Sequence, residues 1–228
     1  ENTFEANSAS WVFLIGSPRL VVEQVGDITL ITSRADLEQA RGLASVFEGP
    51  LRKITPFFPD AKVQGLILMV LGEEGGLPGR TPPVAGYPLV VTPRYSPANM
   101  SASLASSHRF VIKTLVTDLW SLSGGDLDPE FGGPVTSLER AFQAVVGFLD
   151  TYVLEDGDPE RMQTHIQSDA QMQGGVDEDQ LVLLDIYRQG SQDAVRDVLR
   201  QMYQKPNELR GLRYESLSQW IRSAGGMQ

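Results

Sequence analysis

Ile28-Thr29-Leu30-Ile31-Thr32-Ser33-Arg34-Ala35-Asp36-Leu37, continuing through Ala40, Leu43, Ala44, Phe47, Leu51 and Ile54 to Pro56, decides the fold class. Its first five residues are β-branched or aliphatic and read as a strand. From Leu37 the apolar residues recur every three or four positions, the spacing of an amphipathic helix with one buried face. Ser33 with Asp36 three residues on offers an N-cap, Pro56 a stop, and Gly49-Pro50 a kink within the helix. A strand feeding directly into a long helix calls for further strands to pair with the first.

Those strands are found on both sides. Upstream, residues 11–16 and 20–24 are strand-like stretches opening on aliphatic or aromatic residues and set off by Ser17-Pro18 and Gly26-Asp27, and two of the three runs are expected to form a hairpin. Downstream, residues 63–71 suit a central strand and residues 89–92 a shorter one. Between them, residues 72–86 carry Pro78, Pro82 and Pro83 among several glycines, which predicts a mobile or irregular loop.

From Ser96 onward the period changes to helical. Leu104, His108, Val111, Leu115, Leu119 and Leu122 trace one face, and Leu138, Phe142, Val145, Leu149 and Tyr152 another. Further helices are expected over 159–171, 180–188, 192–203 and 207–223, with Gly190-Ser191 and Lys205-Pro206-Asn207 as stop and restart points. The fold class is therefore α+β: a strand-rich N-terminal part with a long helix, then a mostly helical C-terminal part. Residues 1–10 are expected to be a flexible lead-in. Residues 11–228 are expected to form a single domain, with a strand and helix lobe over 11–95 and a helical lobe over 96–228.

Composition narrows the function classes. Hydrophobic residues make up 41% of the 228, enough for a real core. The 29 acidic against 19 basic residues give a formal charge of -10, which repels phosphate backbones and anionic lipid, so nucleic acid is not an expected partner. Without cysteine, disulfides, thiolate metal sites and cysteine nucleophiles are excluded. The apolar run at 11–16 is far too short to span a bilayer, so no transmembrane segment is expected in this chain. A first residue of Glu1 rather than Met suggests a trimmed form, and with it an extracytoplasmic or secreted location.

Only two histidines, His108 and His165, are available for imidazole chemistry. A helical zinc-peptidase site needs His-Glu-x-x-His: two imidazoles one turn apart hold the metal, and the glutamate activates its water. Here the window reads His108-Arg109-Phe110-Val111-Ile112, so the base position holds an arginine and the second ligand position an aliphatic side chain. In the order of its elements the chain nevertheless resembles the gluzincin-type, or peptidase-MA-like, zinc peptidases from about residue 20 to the end. The resemblance implies a zincin-like layout: an opening strand and helix, an edge strand, the His-Glu-x-x-His helix, then a helix carrying a glutamate ligand. It places Glu139 at that third ligand position and Arg140 where glycine is usual. Glu139 has a second explanation, since Thr136-Ser137-Leu138-Glu139 is a capping box.

Three other polar groups are candidates for chemistry. His165 lies four residues before Asp169, a spacing that forms a solvated ion pair more readily than a metal site. The 124–132 segment alternates Asp126, Asp128 and Glu130, as calcium-binding loops alternate oxygen ligands. Pro129, Phe131 and Ser137 at the twelfth position depart from such a loop, and a solvated acidic turn is preferred. Asp158 before Pro159 reads as an N-cap and first-turn pair. Phosphate-binding glycine motifs and a nucleophile elbow are absent from the sequence.

The expectation is a non-catalytic metallopeptidase-like domain, a binding or structural module for a protein or peptide, holding neither zinc nor another cofactor. The alternative is a hydrolase working through carboxylates or a partial metal site around His108 and Glu139. A calcium-dependent scaffold built on Asp126, Asp128 and Glu130 ranks third.

Overall fold

The Gly26-Asp27 turn reverses the chain between β1 (Leu20–Val25) and β2 (Ile28–Ser33), which pair antiparallel with Val25 opposite Ile28. Gly26 adopts φ +55, the left-handed region that favours glycine, and a Cβ there would lie 1.8 Å from a Glu48 carboxylate oxygen, the end of a flexible side chain that would have to move. The structure is a computed structural model. It describes residues 20–58, 66–70, 79–80, 89–92, 112–113, 116–117, 136–173, 178–213 and 216–226. The lead-in at 1–10 and the strand predicted at 11–16 lie outside these.

Strands β3 (Leu66–Val70), β4 (Gly79–Arg80) and β5 (Leu89–Thr92) complete a five-stranded sheet in the order β1-β2-β3-β5-β4. β2, β3 and β5 run parallel, while β1 and β4 are antiparallel strands at the two edges. Parallel neighbours need a crossover, and α1 (Leu37–Ile54) lies in the connection from β2 to β3. Ile28, Leu30, Ile31 and Thr32 of β2 and Ile67, Leu68 and Val70 of β3 are all buried. Burial on both faces is the mark of inner parallel strands. The buried Thr32 hydroxyl donates to the Val70 carbonyl at 3.1 Å, which satisfies it within the sheet.

The chain divides into two compact units. The first comprises the described residues within Glu1–Arg52 and Lys62–Asp118, the second those within Lys53–Ala61 and Leu119–Gln228. In the first, α1 is tied to the hairpin by Arg41, whose guanidinium donates to both Glu23 oxygens at 2.8 and 2.7 Å. Those hydrogen bonds hold the Glu23 carboxyl below the usual carboxylate range. Ala40, Leu43, Ala44, Phe47, Leu51 and Ile54 are buried, as their spacing predicts, and the helix continues through Pro50.

Two local expectations are corrected here. Ser33 ends β2 and is the N-cap residue of a 3-10 turn, Arg34–Asp36, that runs into α1, but its side chain caps no backbone N–H: its hydroxyl donates to the Asp36 carboxylate at 2.5 Å. A charged acceptor holds the hydroxyl that would otherwise have served the backbone. β4 lies inside the 72–86 segment read as a loop. A glycine and an arginine carry little strand propensity, and backbone pairing with β5 is what makes them a strand.

The second unit contains α2 (Ser137–Leu154), α3 (Pro159–Gln173), α4 (Glu178–Gln204), α5 (Pro206–Gly211) and α6 (Leu217–Ala224). Leu138, Ala141, Ala144, Val145, Phe148 and Leu149 form the buried face of α2. Gly147 lets Gln180 of α4 approach, for a Cβ would meet its amide nitrogen at 2.0 Å. Phe57 meets Phe148 and Tyr152 edge-on at 6.1 and 5.0 Å, and Phe58 stacks on Tyr203 at 6.5 Å.

α4 breaks at Ser191, as expected from Gly190-Ser191, with φ 66 and ψ -169 inside an otherwise helical run. The predicted helix over 207–223 is instead α5 and α6, with Leu212 extended between them at φ -72 and ψ 146. The Leu212 carbonyl accepts from the Ser137 hydroxyl at 3.0 Å, a contact from α2 that no local pattern announces. Among the described residues no helix is long and apolar enough to cross a membrane.

Candidate functional site

Of the positions to which the resemblance assigns zinc chemistry, His108 and Arg109 lie outside the described residues, as do Asp126, Asp128 and Glu130 of the acidic loop. Ile112 is helical and fully buried, as is Val116 one turn on, while Lys113 is exposed. Ile112 and Val116 each follow by one residue a predicted stripe position, Val111 and Leu115, and those two lie outside the described residues. An aliphatic side chain has no lone pair to offer a metal, and in the interior it contributes packing.

Glu139 is held locally. One of its carboxylate oxygens accepts from the Thr136 backbone N–H at 2.8 Å and from the Thr136 hydroxyl at 3.3 Å. The Thr136 hydroxyl oxygen in turn accepts from the Glu139 N–H at 3.2 Å, which completes the capping box at the start of α2. Arg140, the next residue, pairs its guanidinium with the Asp179 carboxylate of α4, and the Ser218 hydroxyl of α6 donates to the same carboxylate at 2.5 Å. Asp179 is fully buried and Arg140 only 18% exposed. A carboxylate so far from water is tolerable only with a cation and a hydrogen-bond donor beside it, so Arg140 has a structural task that joins three helices.

A second polar group forms where α2 turns into α3. Asp156 and Gly157 both take positive φ, 57 and 72, which folds the chain sharply. The Asp158 carboxylate then accepts from the N–H groups of Glu160 and Arg161 at 3.0 and 3.2 Å, the N-cap expected from Asp158-Pro159. The Tyr187 hydroxyl donates to the Gly157 carbonyl at 3.0 Å, and burial pushes its phenol pKa upward. The Lys53 ammonium lies 2.5 Å from the Asp156 carboxylate and donates to the Val153 carbonyl at 3.1 Å. Its hydrogen bond lowers the Asp156 pKa.

This turn delivers Glu155 to His165. Nδ1 of the imidazole is 3.0 Å from Glu155, Nε2 is 3.7 Å from Asp169, and Arg161 takes the other Glu155 oxygen at 2.9 Å. The sequence points to Asp169 by its helical spacing. Glu155 goes unnoticed there, because only the reversal at 156–157 brings it back onto α3. Thr164 lines the same shallow groove, but its hydroxyl donates to the Glu160 carbonyl at 3.0 Å. The partners of the imidazole are carboxylates rather than a hydroxyl it could activate, so the arrangement is an ion network bracing a helix corner. Among the described residues no group of three or more His, Asp or Glu side chains is arranged to hold a metal ion.

No protein-family model, no curated protein and no solved structure matches this chain.

Proposed function

We propose that the chain is a metallopeptidase-like domain of zincin-like layout that lacks zinc-peptidase catalysis and serves as a binding or structural module for a protein or peptide partner. The observation that carries this reading is Ile112, fully buried in its helix at the position where the second zinc ligand would have to stand. Glu139, at the third ligand position, is engaged with Thr136 instead. The layout has support of its own. A strand and long helix come first, β3, the antiparallel edge strand β4 and β5 follow, then helical residues at 112–113 and 116–117, then a helix with Glu139 in its first turn.

Zinc loading tests both halves of the proposal. After incubation with zinc and removal of loosely bound ion, the protein is expected to show no stoichiometric metal by mass spectrometry. Retained zinc that disappears in His108→Ala would overturn the non-catalytic half. Arg109→Glu combined with Ile112→His rebuilds both missing positions beside His108. If the layout is zincin-like, zinc should raise the melting temperature of that variant, because a ligand that binds only the folded state stabilises it. A folded double variant indifferent to zinc would sink the layout.

A further inference from the structure

We draw no further inference here: the strongest candidate, the shallow groove over Glu155, His165 and Asp169 at the corner between α2 and α3, is a mainly acidic cluster whose imidazole and Glu155 carboxylate are engaged with one another and with Arg161, and nothing in the structure shows a ligand that it would take.

Discussion

The second unit holds its charges in two different ways. Arg140, Asp179 and Ser218 form a node in the interior, where the carboxylate has no exposure at all. Glu155, Arg161, His165 and Asp169 form a network at the surface, with Arg161 62% and Asp169 41% exposed. The chemistry is similar and the energetics are not. Water competes for the more exposed partners Arg161 and Asp169, so the pairs at the corner contribute little even though Glu155 itself is 17% exposed. At the node Asp179 has no contact with water, and removing the Arg140 cation strands its carboxylate in the interior.

The largest effect should therefore come from the node. Arg140→Met is expected to cost about 3 kcal/mol of unfolding free energy, the lower end for breaking a buried pair, read from a denaturant titration. Adding Asp179→Leu should recover much of that loss, because the double variant leaves no stranded charge. A loss under about 1 kcal/mol in Arg140→Met would show that the node behaves like a surface pair and would erase the contrast.

Smaller effects lie between the two extremes. Ser191 sits at φ 66 and ψ -169, a backbone region nearly reserved for glycine. Both halves of α4 are anchored by their own buried residues, among them Val182 and Ile186 before the break and Val198 and Met202 after it. The break is held by packing against its local preference, so Ser191→Gly should gain about 1 kcal/mol. An unchanged or lower denaturation midpoint would mean that the serine side chain makes contacts worth as much as the strain.

Tyr187→Phe removes one hydrogen bond to Gly157 and is expected to cost about 1 kcal/mol near neutral pH. It also carries a pH test. Burial raises the Tyr187 pKa, so the folded state holds the phenolic proton more tightly than the unfolded chain does. That stabilisation is complete below the unfolded value of about 10 and is lost as pH rises through the folded value. Unfolding followed between neutral and strongly alkaline pH should show a decline that Tyr187→Phe makes shallower. An identical decline in both proteins would assign it to other groups.

The smallest effect is expected at the corner, where His165→Gln should change stability by less than about 0.5 kcal/mol. A cost rivalling that of Arg140→Met would place the corner, not the node, at the energetic centre of the second unit.

Legibility in the sequence followed distance along the chain. The Gly26-Asp27 turn, the Thr136 to Glu139 capping box, the Asp158 cap and the break at Ser191 could be read directly, because each depends on residues within a turn or two of one another. β4 could not, since Gly79 and Arg80 are a strand only by virtue of pairing with Val91 and Val90. Arg140 could be noticed only as a departure from the glycine that the resemblance implies. Its task follows from Asp179, which a helix, a turn and a second helix separate from it in sequence.

By itself the sequence determined which segments are strands and helices in most of the described chain, that Ile112 cannot ligate a metal, and that Glu139 has a local partner in Thr136. Those outcomes rest on residue chemistry and on bonds between near neighbours, both written in the order of the residues. The tertiary structure alone decided the strand order β1-β2-β3-β5-β4, the Leu212 break held by Ser137, the capture of Glu155 by His165 and the burial of Asp179 against Arg140 and Ser218. Ser218 and Asp179 lie 39 residues apart, and at such separations a contact exists only once packing has removed the water that would otherwise hold both groups.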